Sequence, residues 1–576
     1  MCLWITIGFL TFVITFKIFY MKKVLSVSKF LLLLSATLLV CVVSDKWIYI
    51  PFCLMELVLL FVGCGMVSSK CPRLAYAINV ILSFLYSAQL FVYYFSGEFI
   101  SMLMLDNLNM ISNLGNELVI YVLVSIPAVA VVLMPSGNIS FFAFRKMYVL
   151  AFAAVYLLIM AVGWSVLPAS PYTATFSLAK RMVKARIFKI WTSRMDKDEI
   201  LEYFRRESVG GLGVDAAFAK NGEEQLSVVL ILTEGLSAEV LDVYNSLGLS
   251  LTPNLDSLYH KSLVFDNYYN HTAATFRAVR GQLYSSHQYD GGYVGGAGLG
   301  EVDNSTQSDM LNTKLVSIVD ILKSRKGYNT CFVNPEPADP KIVNYLYSLG
   351  VDDVVSGDYG HTRSRTDRQI YDVLKNTIRQ YRSCDAPFFI VFYNIGTHHG
   401  FDSPDLKYGD GSNAYLNKFH NYDAAFGDFF QEMDEEGVFE NTLLVFSADH
   451  ATYPVPEYRK TFDSSQEVFV SRIPLFFYFD GIVPEIRDAQ GRNSLDIAPT
   501  LLDILNVRDV ENWFLGTSLF RDYETWCSRV CAMGDEFFYV SDGQLNRLED
   551  GDSRVKMLRK YYEISINKKK NVNSQD

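Results

Sequence analysis

The sequence predicts two unlike parts, an N-terminal α-helical transmembrane bundle and a C-terminal α/β domain with a mostly parallel central sheet. Three observations carry this. Apolar, nearly charge-free stretches crowd the front of the chain, at 24–44, 47–67, 74–95, 118–134 and 147–167, and each has about the 20 residues that a bilayer-spanning helix needs. Beyond residue 225, short unbroken apolar runs, LSVVLILT, PFFIVFYNI and NTLLVFSA, read as strands buried on both faces, as in parallel sheets. Among them lie 252–262, 314–325, 366–382 and 421–436, which carry the mixed periodicity of surface helices. That alternation argues for a mostly parallel sheet covered on both sides.

Of the 576 residues, 50% are hydrophobic, an excess concentrated at the front. Five such runs could not be buried around one small core, so they are read as spans. Lys22 and Lys23, then Lys70 and Arg73, then Arg145 and Lys146 all fall on one side if the five segments alternate. The positive-inside rule makes that side cytoplasmic and sends the chain out of the membrane after residue 167. Residues 2–20 are apolar but carry Lys17; a start at Met21 gives five helices, and a sixth span is the rival. No small-residue cleavage site follows that run, which argues against a signal peptide.

The transmembrane domain is therefore placed at 1–167. Residues 168–225 form an amphipathic juxtamembrane linker, with LAKRMVKARIFKIWTSR at 178–194 setting apolar residues at helical spacing among cations. The α/β domain covers 226–522, and 523–576 is a C-terminal extension with a disordered tail ending beyond Lys568, Lys569 and Lys570. Cys527 and Cys531, four apart, fit either a disulfide on an oxidising face or two free thiols one helical turn apart. A net charge of −11 with no basic domain argues against nucleic acid as a partner.

The chemistry gathers at strand ends. The first run stops at Glu234, the second leads to His398 and His399, and the third to Asp449 and His450. In open α/β sheets ligands sit beyond the carboxyl ends of the strands, so these groups share one rim. Glu234, Asp449 and His450 offer hard and borderline donors suited to Zn2+ or Mn2+. Between the first run and a later helix lies HTAATFRAVRG, 271–281, where small residues surround two threonines. A threonine hydroxyl becomes a competent nucleophile when a cation lowers its pKa, and a helix start attracts a phosphoryl group. Otherwise a threonine there is an ordinary N-cap. Three of the eight histidines follow buried strands; an imidazole there can orient a phosphoryl oxygen or protonate a leaving alcohol, or be a plain loop residue.

The pieces Thr233-Glu234-Gly235, 251–255 LTPNL, 265–269 FDNYY, Gly396-Thr397-His398-His399, 446–450 FSADH, 472–476 RIPLF, 494–502 SLDIAPTLL and 516–520 GTSLF occur in one order. With them, 227–520 resembles the alkaline phosphatase and sulfatase superfamily, and more closely its membrane-anchored phosphoalcohol transferases: lipoteichoic acid synthases, the phosphoglycerol transferase of periplasmic glucans and phosphoethanolamine transferases. The stretch 93–116 between spans looks like the outward loop of lipoteichoic acid synthases. The resemblance implies an α/β domain of alkaline phosphatase/sulfatase type and one divalent metal ion, Mn2+ or Zn2+. It implies Glu234, Thr275, Asp449 and His450 as metal ligands and Thr275 also as nucleophile. His398 is the first choice for the substrate histidine and His399 the second. The implied donor is a membrane phospholipid, phosphatidylglycerol or phosphatidylethanolamine, and the acceptor an exported glycan or lipid. The implied setting is the bacterial cell (inner) membrane, multi-pass, with the catalytic domain on the outer or periplasmic face.

Departures narrow the expectation. The formylglycine signature of true sulfatases is absent around Thr275, which argues against sulfate ester hydrolysis. The Gly-Glu-Ser-Ala-Arg run of many phosphoethanolamine transferases is replaced by Glu234-Gly235-Leu236-Ser237-Ala238, and no histidine follows His450. Both tilt the reading towards phosphoglycerol, although the Trp and Arg that hold phosphoglycerol in lipoteichoic acid synthase are not recognisable between 328 and 350. A metal-dependent phosphodiesterase or phosphatase would use the same residues, and a non-catalytic membrane binding protein is the reading from another class.

Overall fold

The computed structural model describes residues 24–43, 49–68, 70–96, 116–134, 146–166, 202–209, 225–287, 315–338, 340–357, 365–521, 525–534 and 536–565, with positions 47, 99, 100, 175, 179, 182 and 183. The chain forms two compact units, one of residues 1–105 and 111–188 and the other of 106–110 and 189–576.

The first unit is helical. Helices α1 (Val24–Val43), α2 (Tyr49–Ser68), α3 (Pro72–Ser96), α4 (Asn116–Leu133) and α5 (Lys146–Val166) fall on the five apolar stretches. Among the described residues three helices, at 24–43, 49–68 and 72–94, are long and apolar enough to cross a membrane, and the apolar part of α5, Met147–Met160, is shorter. Leu33, Leu57, Phe61, Tyr86 and Leu90 pack between α1, α2 and α3. Lys29 is buried in this unit and donates to Asn79 Oδ1 at 2.6 Å and to the Val132 carbonyl at 2.7 Å, tying α1 to α3 and α4. A buried intramembrane cation needs such partners. Residues 2–20 and most of 168–201, with the expected basic helix, lie outside the described residues.

The second unit is an α/β domain. Its strands are β1 (Arg206–Val209), β2 (Ser227–Thr233), β3 (Leu263–Asp266), β4 (Asn329–Pro337), β5 (Asp353–Gly357), β6 (Phe388–Tyr393), β7 (Thr442–Ala448), β8 (Leu475–Tyr478), β9 (Glu485–Asp488), β10 (Arg508–Asn512), β11 (Val530–Met533), β12 (Glu536–Ser541) and β13 (Gln544–Leu548). The helices are α6 (Pro253–Lys261), α7 (Thr275–Tyr284), α8 (Ile318–Lys326), α9 (Pro340–Tyr347), α10 (Asp367–Arg382), α11 (Ala414–Glu435), α12 (Pro456–Phe462), α13 (Ile497–Ile504) and α14 (Ser553–Ser565). Eight strands make the central sheet in the order β5-β4-β6-β2-β7-β8-β3-β9, and only β8 runs against its neighbours. The expected mostly parallel sheet is thus present, and the three apolar runs, β2, β6 and β7, are adjacent and buried along their whole length. Tyr371 of α10 stacks on Phe392 of β6, and Phe426 of α11 meets Phe446 of β7 edge-on, which fixes both helices to the sheet.

Three features differ from the sequence reading. Helix α11 starts at Ala414 rather than 421, because the Asn413 side chain accepts the N–H groups of Tyr415 and Leu416 at 3.0 and 3.2 Å. That cap opens a turn too polar to show periodicity. Within the stretch expected as a linker, β1 pairs antiparallel with β10, some 300 residues away in sequence. The expected C-terminal extension is folded through residue 565: β11, β12 and β13 form an antiparallel sheet followed by α14. Its short strands bury Val530, Phe537 and Val540, and Gly543 turns β12 into β13 at φ +69°. Cys527 and Cys531 are buried free thiols. Residues 566–576 lie outside the described residues.

Candidate active site

Sheet register alone brings the first groups together. Leu232 stands opposite Tyr393 and Thr233 opposite Ala448, so the residues that follow, Glu234, Asn394 and Asp449, emerge side by side. One donor atom from each of Glu234, Asp449 and His450 lies within 4.8 Å of the others, and all three residues are buried. Gly235 makes the turn after β2 at φ +56°, a conformation glycine adopts without penalty, and its N–H donates to Asp449 Oδ1 at 2.9 Å.

The donor atoms point at one another. His450 Nδ1 lies 2.9 Å from the Ala451 carbonyl, which can only accept, so Nδ1 carries the proton and Nε2 presents a lone pair. Nε2 lies 3.5 Å from Glu234 Oε1 and 3.3 Å from Asp449 Oδ2, and Asp449 Oδ2 is buried with no hydrogen-bond partner among the described residues. Buried lone pairs left facing one another are costly, and a divalent cation satisfies all three. The donor set therefore fits Zn2+ or Mn2+. Electrostatics agree. Burial opposes ionisation of Glu234, but His450, His398, Tyr393 and Thr275 outweigh it and hold that carboxyl below its usual range. For Asp449, burial and then the Glu234 charge push the carboxyl well above its usual range.

Thr275 is the first residue of α7, and its hydroxyl donates to Glu234 Oε2 at 2.8 Å while lying 3.5 Å from His450 Nε2. Of the two threonines in the loop, this is the one in the cluster. The backbone at Thr272 instead forms a parallel bridge with Ala532 of β11, and the Ala532 N–H donates to the His271 carbonyl at 2.7 Å. The C-terminal sheet thus backs the threonine loop. Ala274, just before Thr275, sits at φ +71°, strained for a residue with a Cβ.

The two histidines after β6 differ. His398 is exposed, with Nδ1 bonded to the His399 carbonyl at 2.6 Å, which leaves Nε2 as its outward atom. His399 Nδ1 meets the Tyr415 hydroxyl at 2.9 Å, and burial, followed by the charges of Lys418 and His398, brings its pKa down to about 3.

Several residues that hold the site carried no signal. Tyr393 donates to Glu234 Oε2 at 2.6 Å. Asn394 accepts the Glu234 N–H at 2.9 Å and donates to Asp367 at 3.0 Å and Thr397 at 3.1 Å, while the Thr397 hydroxyl donates to the Glu234 carbonyl at 2.6 Å. Gln282 of α7 donates to the carbonyls of Ala448 and Asp449 at 3.1 and 2.9 Å, locking the helix that carries Thr275 to the strand that carries Asp449. Outer partners of this kind fix the orientation of metal ligands. Tyr393 and Asn394, polar groups at the end of an apolar strand, were the one available cue.

The sulfatase family profile matches residues 227–507. Lipoteichoic acid synthase 2 of Bacillus subtilis is 22% identical over 388 residues, covering 59% of this chain and 56% of that protein. Lipoteichoic acid synthase-like YvgJ of the same organism is 24% identical over 313 residues, covering 49% and 47%. The chain spans about half the length of these relatives. A solved protein of the alkaline phosphatase superfamily from Vibrio parahaemolyticus superposes with a TM-score of 0.50 at 20% identity, covering 66% of this chain and 98% of that one, a likeness of fold. The chain therefore carries a sulfatase-family domain, residues 227–507, built on the alkaline phosphatase superfamily fold.

Proposed function

We propose that the protein is a multi-pass transferase of the bacterial cell membrane that moves a phosphoalcohol group from a phospholipid to an exported glycan or lipid acceptor. The group is phosphoglycerol in the first instance and phosphoethanolamine in the second. The observation that carries this is the seat of Thr275: a hydroxyl at a helix start, bonded to a buried carboxylate and facing the Asp449–His450 pair. The names of the Bacillus subtilis relatives support the substrate class. Residues 1–167 would anchor the chain and 226–522 carry the reaction on the outer face; the apolar helices and the cations between them support that placement.

In the first step the Thr275 oxygen attacks phosphorus in line, and its proton leaves along the hydrogen bond to Glu234 Oε2. The bond from phosphorus to the diacylglycerol oxygen breaks, and the protonated His398 imidazole gives that oxygen a proton. In the second step an acceptor hydroxyl loses its proton to His398 and attacks phosphorus; the bond from phosphorus to the Thr275 oxygen breaks, and that oxygen takes its proton back from Glu234. A divalent cation held by Glu234, Thr275, Asp449 and His450 supplies, when bound, a lowered hydroxyl pKa and neutralisation of charge on the phosphoryl oxygens. The start of α7 adds a positive dipole end. Tethering makes sense because a lipid donor is confined to the bilayer surface, so an anchored site meets it at high effective concentration.

The test is Thr275→Ala in full-length detergent-purified protein. Phospholipid turnover should vanish while the folded state and metal content persist; full turnover by the variant refutes the reading. Release of free glycerol phosphate with no modified acceptor would turn it into a hydrolase.

A further inference from the structure

Lys418, on the second turn of α11, is 1% exposed, and among the described residues it makes no ion pair. Its ammonium donates to the His398 carbonyl at 3.2 Å and lies 4.0 Å from the Tyr415 ring centre and 5.3 Å from that of Phe419. An ammonium removed from water without a carboxylate in direct contact is expensive, and apolar packing alone would be served as well by methionine. Such a charge points to a function.

The start of α11 shows which one. Tyr415 bonds His399, and the Asn417 side chain donates to Asp402 Oδ1 and the Gly411 carbonyl and accepts the Tyr408 N–H, each at 2.9 Å. These contacts clamp the loop that follows β6, and Lys418 is the one that grips His398 itself. The His398 imidazole is bonded on its Nδ1 side to the next carbonyl, so fixing this backbone fixes where Nε2 points.

We propose that Lys418 is a positioning residue for phosphoryl transfer, a buried cation that fixes His398 and adds positive potential on the side of the site bordered by Glu234. This rests on the reading of His398 as the proton carrier. The charged groups facing Lys418 are Glu234 after β2, Glu457 on α12 and Asp402 in the clamped loop, all of which favour its charge, while His398 and His399 belong to that same loop. Burial outweighs the three carboxylates and brings the Lys418 pKa down to about 7.

The experiment compares wild type, Lys418→Met, Lys418→Arg and His398→Ala as full-length, metal-loaded protein, following turnover of phosphatidylglycerol vesicles against pH. The methionine variant should lose roughly 10- to 100-fold in kcat with little change in KM or metal content. Arginine should restore most of that loss and, because it stays charged, remove the fall in rate that the wild type shows as pH rises through about 7. Wild-type kcat in Lys418→Met, or an arginine variant as impaired as methionine, overturns the role given to Lys418. His398→Ala at the wild-type rate, or a wild type that turns over no lipid, overturns the underlying reading and this inference with it.

Discussion

Gly396→Ala reports on the scaffold beneath the site. A Cβ at residue 396 would lie 2.3 Å from Asp367 Oδ2, 2.4 Å from Oδ1 and 2.5 Å from Cγ, against an ordinary contact of 3.4 Å or more. The carboxylate would have to retreat by about 1 Å. It is buried and bonded to the side-chain amides of Asn394 at 3.0 Å and Asn421 at 3.3 Å, so any retreat stretches those bonds. Asn394 in turn carries the Glu234 N–H. Overpacking of this kind costs about 1–3 kcal/mol, and a weakened hydrogen bond to a charged group adds about 1.5 kcal/mol. A total of about 3 kcal/mol corresponds to roughly 6 °C in Tm for a domain of this size. Because Glu234 is displaced, affinity for Mn2+ or Zn2+ should fall about 10-fold or more. Calorimetry with and without chelator reads the first, and metal titration the second. Gly551→Ala, where an added Cβ meets nothing within 4 Å, is the control. If Gly396→Ala melts with the wild type and binds metal equally well, the chain from Asp367 through Asn394 to Glu234 is refuted.

Burial raises the Asp367 carboxyl to about 6, above its unfolded value of 3.8, so its contribution is full below about pH 4 and lost as pH rises through 6. Urea unfolding across that window should show a decline on the order of 3 kcal/mol from this group, which Asp367→Asn should flatten; an unchanged slope contradicts the buried state given to Asp367. Gln282→Met removes both bonds from α7 to the end of β7 and should weaken metal binding with a stability cost of about 1–3 kcal/mol, read by the same titration and melt. Wild type at 100 times the metal Kd should gain about 2.7 kcal/mol over chelated protein, a gain that Asp449→Asn should abolish; equal Tm values in all four samples would remove the metal site.

What the sequence disclosed follows from range. Strands β2, β6 and β7 are buried on both faces, so their apolar runs stood out, and the residues directly after β2 and β7 marked the rim without knowledge of register. Burial pattern and strand-end position thus sufficed for Glu234, Asp449 and His450. Thr275 needed more, since Thr272 three residues earlier had equal chemistry and only the threading of the loop between Glu234 and β11 separates them. The second layer, Asp367, Tyr393, Asn394, Gln282 and Lys418, is assembled from contacts across long sequence separations, and polar residues so placed look like any others in a string. The C-terminal sheet was missed for a related reason. Its strands are four to six residues long, and their partners are one another and the His271 loop far upstream.

Covalent transfer through Thr275 is most directly tested by peptide mass spectrometry of the metal-loaded, full-length protein quenched during turnover of defined phospholipids. A glycerol phosphate adduct on the peptide containing Thr275, absent from Thr275→Ala, is the expected result, and an ethanolamine phosphate adduct would select the other head group. Lipid consumed at the wild-type rate with every threonine unmodified, in samples quenched fast enough to trap the intermediate, would contradict the two-step transfer.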